Sequence, residues 1–444
     1  MSDSKKDKDP SQTEDAAVEA DKTADTAESS AAEEIAEDSA AEDTPAEEVP
    51  DAERPWNGDP PAIIAEDTAR LCGRGARTAG SLEETIAADY LRSSMEGLDL
   101  EVILQRFSSP GSTAWVLAVH MGLGVVAAML SGLSSTLAAI ALIAILLSFV
   151  GECYFRLHWL SALMPSLRSQ NVIGHYLPPK DPKQVVVLTS HMDSPRSGLL
   201  FSTGLARRLR TLGLATIPAA SLLLLTAVIL MEALGGGGFI IGLLFWIAVA
   251  GTLISGAFAA NWGMGTPVEG ASDASGMATV LEMARRVSKA KPRETEYYFV
   301  AFGGRHSMLS GSRHFVETFS SRLNPEQTIV INVDSVSAGE LRLVGQEQSL
   351  CKQSYPDPLL WVAARRLAMK DKRFEGIKPA VAIIPGDALP LAMARYHCVT
   401  LAGMRSDDMP FHGGLPLDTL ERQTWQDADR SLDFIEALIK DMKP

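Results

Sequence analysis

The sequence predicts an α/β domain, a mostly parallel sheet with helices on both faces, interrupted by two transmembrane helical hairpins. Three observations carry that expectation. Apolar strand-like runs alternate with helix-like runs, four runs of about 20 residues lack an interior charge, and the acidity is confined to one end.

Residues 1–53 are built of Ala, Glu, Asp, Ser and Thr and hold 19 acidic and 4 basic residues, a net of −15. That equals the formal net charge of the whole chain, so residues 54–444 are about neutral. Such a segment cannot bury enough apolar surface to fold, and residues 1–55 read as a disordered acidic tail. Its charge says nothing about what the folded part binds, and nothing in the chain points to nucleic acid.

"STAWVLAVHMGLGVVAAMLSGL" and "STLAAIALIAILLSFVGECYF" form one pair of long apolar runs within residues 112–155. "LGLATIPAASLLLLTAVILMEAL" and "FIIGLLFWIAVAGTLISGAFAA" form another within 212–260. Each run is long enough to cross the hydrocarbon core as a helix. Each pair is joined by a very short link, Leu133-Ser134 or the four glycines 235–238, which predicts hairpins. Arg106, Arg156, Arg168, Arg196, Arg207, Arg208 and Arg210 flank the spans, while the hairpin loops hold no Lys or Arg. The positive-inside bias then places both termini and the α/β domain in the cytoplasm, beside the bilayer. Cys72, Cys153, Cys351 and Cys398 follow no spacing that suggests a disulfide framework or a zinc knuckle.

The rest alternates. "LEETIAADYLRSSMEGL" reads as a helix capped by Ser81, "VVVLTSHMDS" as a strand and "SGMATVLEMARRV" as a helix. "EYYFVAF" and "QTIVINVD" read as strands, and "RQTWQDADRSLDFIEALI" as the closing helix. The α/β domain is thus expected from three pieces: 60–110, 156–206 with the first strands, and 261–444. Strand ends carry the chemistry: His191 and Asp193 after the first strand, Asp273 at a helix start, Arg305 and His306 after a Gly303-Gly304 turn, Asp334 closing "VINVD", and His412 in a glycine-flanked loop. Imidazoles and carboxylates gathered at such ends form a ligand set that zinc accepts.

The order "HMDS", "GASDASGMATVLEMAR", "LSGSRHFV", "INVDSV" and a late His resembles the di-zinc aminopeptidase family. That family includes bacterial leucyl aminopeptidases, glutamate carboxypeptidase and the peptidase-like domain of the transferrin receptor. "GRGARTAGSLEETIAADYL", "SQNVIGHYLPP" and "GDALPL" also resemble family segments. The resemblance implies one metal position at His191 and Asp334, another at His306 and His412, and Asp273 bridging them. Asp193 would support His191 from behind. It also implies zinc, one ion or two, and exopeptidase chemistry on a peptide.

The family has two glutamates where this chain has Arg305 and His306. His306 can still ligate zinc, but Arg305 cannot serve as the general base, because guanidinium stays protonated. The expectation is a membrane-anchored zinc peptidase-like protein, weak or inactive, needing a substitute base such as Asp407 or Asp408. The alternative is a non-catalytic binding or scaffolding domain, a pseudoenzyme whose cleft Arg305 turns cationic toward a carboxylate or phosphate ligand. A third reading, a channel using His120 inside the first span, rests on that single ionisable residue.

Overall fold

The computed structural model describes residues 62–155, 157–202, 215–348, 352–354, 359–406, 409–425 and 427–442. The acidic tail, Cys351, Asp407 and Asp408 lie outside the described residues.

Among the described residues nine strands form one sheet: β1 (Glu101–Pro110), β2 (Ser166–Tyr176), β3 (Gln184–His191), β4 (Thr295–Phe302), β5 (Thr328–Asp334), β6 (Glu340–Gln348), β7 (Lys352–Ser354), β8 (Lys378–Ala382) and β9 (His397–Met404). Their order is β1-β2-β4-β3-β5-β9-β6-β7, with β8 paired to β6. The centre, β4-β3-β5-β9, is parallel. The flanks are not: β1-β2, β2-β4 and β9-β6 are antiparallel. The sheet is therefore mixed rather than mostly parallel. Only the central strands carry the fully buried apolar runs that sequence reading detects, whereas β1 is half-exposed along much of its length and was not anticipated.

Alternation along β3 builds two cores. Val186 and Leu188 face one layer, with Met277, Leu281, Ile435 and Leu438; Val185 and Val187 face the other, with Phe315 and Leu391. The first layer holds α1 (Ala62–Cys72), α2 (Leu82–Glu96), α7 (Ala271–Ala290), α9 (Leu359–Lys370) and α11 (Ala428–Asp441). The second holds α8 (Ser310–Phe319) and α10 (Ala388–Met393). Ser81 caps α2 as expected, its Oγ accepting from Glu84 N. The closing helix begins at Ala428, later than its pattern suggests. Thr424 and Trp425 donate their amides to Ser337 O, and Trp425 sits at φ 56°, which keeps that stretch out of the helix.

The two insertions are hairpins of apolar helices: α3 (Thr113–Met129) with α4 (Ser135–Cys153), and α5 (Thr216–Ala233) with α6 (Phe239–Met264). All four are long and apolar enough to cross a membrane. Leu142, Leu225, Ile229 and Val249 pack them into a bundle, while Leu137, Phe239 and Trp246 point outward. His120 is an internal bundle contact, its Nδ1 on Val116 O at 2.8 Å and its Nε2 on Ser148 Oγ at 3.1 Å. At the domain-facing ends Leu117, Phe149 and Trp262 pack against Ile383 and Met409, joining bundle to sheet domain.

A candidate metal centre filled by an arginine

Parallel strands leave their carboxyl ends free for loops, and the candidate residues collect there. His191 ends β3, Asp334 ends β5, and Asp273 lies in the first turn of α7. Arg305 and His306 follow β4 through Gly303 and Gly304. Gly303 has no room for a side chain: an added Cβ would lie 2.5 Å from Gln170 O and 2.7 Å from Glu84 Oε1. Gly304 (φ 63°), Met308 (φ 64°), Leu309 (φ 56°) and Ser335 (φ 54°) all take left-handed backbone near the site. Two consecutive such residues without glycine store strain of about 1–3 kcal/mol each, a common property of functional loops.

Arg305 is buried and donates from Nη1 to Asp334 Oδ2 at 2.5 Å. The same Nη1 lies 2.5 Å from Nε2 of His191. His191 Nδ1 lies 2.9 Å from the carbonyl oxygen of Asp193, so it donates there and Nε2 is left to accept. The carboxylate of Asp193 accepts from the backbone N–H groups of Arg305 and His306, at 3.1 Å each. Asp193 thus fixes the turn as well as the ring, a role its position in the sequence did not disclose.

Electrostatics follow from this packing. Asp193 titrates at about 2: burial opposes ionisation, but His191, His306 and the backbone N–H groups outweigh it. Asp334 lies well below the ordinary carboxylate range, burial being overcome by Arg305 and His191. Burial raises Asp273, with Asp418 and Asp334 adding to the effect. His306 falls to about 4 because burial, His191 and Arg305 disfavour its cation, so its ring is neutral near pH 7. For His191, burial and Arg305 push down while Asp273, Asp193 and Asp334 push up, carrying the pKa to about 10. A proton on Nε2 and the Arg305 N–H exclude each other at 2.5 Å, so with the guanidinium in place the ring is the neutral acceptor, and the carboxylates favour its cation only once Arg305 moves off Nε2.

Ligand atoms of His191, Asp273 and His306 lie within 4.8 Å of one another, close enough to share a metal ion. Asp273 Oδ2 and His306 Nε2 are buried without a hydrogen-bond partner among the described residues, which suits them to a cation. The remaining donors are engaged: Nε2 of His191 and Oδ2 of Asp334 both meet Arg305. The donor set therefore fits one ion better than two. His412 is half-buried on the loop after β9, with its ring edge-on to Phe411 at 4.6 Å. Nor is the cleft cationic by its own side chains. Asp273, Asp334 and Asp387 are buried around the Arg305 guanidinium, and Asp193 is buried against the backbone amides of the same turn.

Three further residues position the site and were not anticipated. Ser335 Oγ lies between Asp273 Oδ1 (2.9 Å) and Asp334 Oδ1 (3.0 Å). Asp418 accepts from the N–H and hydroxyl of Ser272, steadying the start of α7. Arg77 is buried and donates to the carbonyls of Met192, Glu269 and Gly270, clamping the loops that carry His191 and Asp273. Its motif, "GRGARTAG", offers no sign of this, because partners of a buried guanidinium are distant in sequence.

Residues 254–430 match the model of Peptidase family M28. The match bears out the resemblance drawn from the motifs. It takes in Asp273, Arg305, His306, Asp334 and His412, while His191 and Asp193 join them through the geometry of β3. The fold is similar to the glutaminyl cyclase of Fimbriiglobus ruber, at TM-score 0.51 and 14% identity over 88% of this chain and 98% of that one. It is similar to Porphyromonas gingivalis glutaminyl cyclase at TM-score 0.50 and 12% identity, over 85% and 97%. BSAP, a zinc aminopeptidase from Bacillus subtilis, aligns at TM-score 0.48 and 16% identity, over 86% and 95%. No curated protein matches the sequence at a significant level. At these identities the structural likeness speaks for the M28-like fold alone.

Proposed function

We propose that this M28-like chain is a membrane-anchored binding protein, with a peptidase site that holds at most one zinc ion and has lost efficient hydrolysis. The observation that carries the reading is the double contact of Arg305 Nη1 with His191 Nε2 and Asp334 Oδ2. A fixed organic cation takes up donors that a second metal would need. It also stands at the position where the family resemblance implies a base, and guanidinium cannot accept a proton.

A zinc ion held by Asp273 and His306, with His191 completing the set only where Arg305 gives up its Nε2, would act as a Lewis acid toward a ligand carbonyl. The chain's own groups do the rest. Asp193 holds the turn, Ser335 orients Asp273, and Asp418 and Arg77 fix the loops behind them. Without a base, a typical factor of about 10²–10⁴ in rate is absent. A slow hydrolase is the second reading: Asp387 lies buried beside Arg305 with a carboxyl that burial raises, a candidate proton acceptor should the site open. Because two fold neighbours are glutaminyl cyclases, the fold by itself does not select peptide hydrolysis.

Anchoring is supported by four helices of spanning length whose outward faces are apolar, and by the arginines that flank them. This reading puts the α/β domain in the cytoplasm. Cysteines placed at Leu133 and Gly236 should then react with an impermeant reagent from outside intact cells. For the site, a broad aminoacyl and dipeptide panel with zinc supplied should give no turnover above background. Robust zinc-dependent turnover abolished by His191→Ala would overturn the binding-protein reading, and loss of a slow rate in Asp387→Asn would favour the second.

A further inference from the structure

A cavity of about 90 Å³ connects the site to the apolar bundle. Asp273, Arg305 and His306 line it together with Leu117 of α3, Cys153 of α4 and Trp262 of α6. The helix ends are tied to the site directly. Thr113, first residue of α3, donates through both its N–H and its hydroxyl to His306 O at 3.0 Å. Its hydroxyl also accepts from Met308 N at 2.8 Å.

We propose that this cavity binds a single-chain amphiphile, with an amine-bearing head among Asp273, Arg305 and His306 and an alkyl chain between the helix ends. The inference rests on the reading of the site as a binding site, and names what it takes. The walls suit an alkyl chain. Beyond the three ionisable residues they are mainly apolar, including Leu117, Phe201, Trp262 and Ile384, and Thr113 is already bonded to the turn. A peptide backbone entering there would leave its buried amides unpaired, which burial penalises.

Unpaired atoms at the polar end suit an amine. Of the three ionisable residues on the cavity wall, Arg305 is engaged by Asp334 and His191, while Asp273 Oδ2 and His306 Nε2 lack a partner among the described residues, so an N–H donor complements the polar end. Size agrees with a short chain. At roughly 10–15 Å³ per water-sized group, the cavity takes about six to nine heavy atoms, the size of octylamine. The helix ends give such a chain a route from the bilayer interface.

The test uses the full chain in lipid nanodiscs and a photoactivatable octylamine carrying a diazirine on its alkyl chain, with labelled residues mapped by mass spectrometry. Labelling is expected at the ends of α3 and α6, around Leu117 and Trp262. Octylamine should compete about tenfold or more better than octanoate, leucinamide or dileucine. Leu117→Trp should cut labelling about tenfold or more by filling the cavity, and Ile384→Trp, on the sheet-domain wall, should do the same if the helix variant fails to fold. Labelling confined to outward residues such as Leu137 and Trp246, or unchanged in both variants, would overturn the proposal as bilayer partitioning. Stronger competition by octanoate would overturn the head, and by dileucine the chain. Zinc content, measured in the same samples, separates the two claims: a metal-free protein with site-directed labelling contradicts the metal reading and supports this one.

Discussion

Arg305 Nη1 stands 2.5 Å from His191 Nε2, so a guanidinium faces the imidazole nitrogen that would otherwise be open to a metal or a proton. The partner on its other side is Asp334 Oδ2, also at 2.5 Å. Three cations compete for one lone pair, and the built-in one has the advantage of being covalently attached. Its burial is supported by opposite charge, without which an arginine is rarely found so deep.

Asp193 holds the turn that presents this arginine, accepting from Arg305 N and His306 N at 3.1 Å. Asp193→Asn is expected to weaken one of these charge-assisted bonds and destabilise the fold by about 1.5–3 kcal/mol. Hydrogen exchange should quicken at the amides of Arg305 and His306 beyond the global change. Uniform exchange across the domain would argue against a local role.

An acid placed at the turn should confer hydrolysis. Arg305→Glu frees His191 Nε2, supplies a proton acceptor and is expected to raise zinc-dependent aminoacyl hydrolysis by about 10²-fold or more over the wild-type background. The measurement is initial rate against zinc concentration, with Asp273→Ala in the same background as the control.

Glu84 gives the fold a pH signature. Burial raises its carboxyl to about 8, against an ordinary value of 4.5, despite hydrogen bonds from Gly80 N and Ser169 Oγ. The folded state therefore binds the proton more tightly than the unfolded chain. This contribution is full below about pH 4.5, declines as pH rises toward about 8, and is flat above, with a limiting slope of about 1.4 kcal/mol per pH unit. Glu84→Gln should remove that slope in urea melts across this window, even if it lowers stability overall. A mutant with the wild-type slope would show that another group carries it.

His120 serves packing. Both ring nitrogens are bonded within the bundle, and the ring meets Phe149 edge-on at 5.5 Å. His120→Ala is expected to lower the detergent melting temperature of the bundle, by about 1–3 kcal/mol in free energy, with no ion flux in vesicles from either protein. Flux that depends on His120 would revive a transport role.

The sequence disclosed what is local or periodic. Val185 to Leu188 reads as a strand because it is buried on both faces, and the four apolar runs read as helices because nothing charged interrupts them. The residues His191, Asp273, Arg305, His306 and Asp334 were legible because each follows a strand or opens a helix. What they do to one another was not. The Arg305–His191 contact joins residues 114 apart in the chain, and Arg77 reaches Gly270 across 193. Side-chain contacts of that range leave no periodicity. β1 was hidden for a different reason: an edge-flanking strand with exposed Glu101 and Arg106 lacks the continuous apolar run of a central one.

Zinc titration by calorimetry into wild-type protein and Arg305→Ala tests the central claim most directly. If the guanidinium occupies the metal's place, the wild type binds no more than one ion, and the variant binds zinc at least about tenfold more tightly or takes a second ion. Two tightly bound ions in the wild type, with affinity and number unchanged in Arg305→Ala, would contradict it.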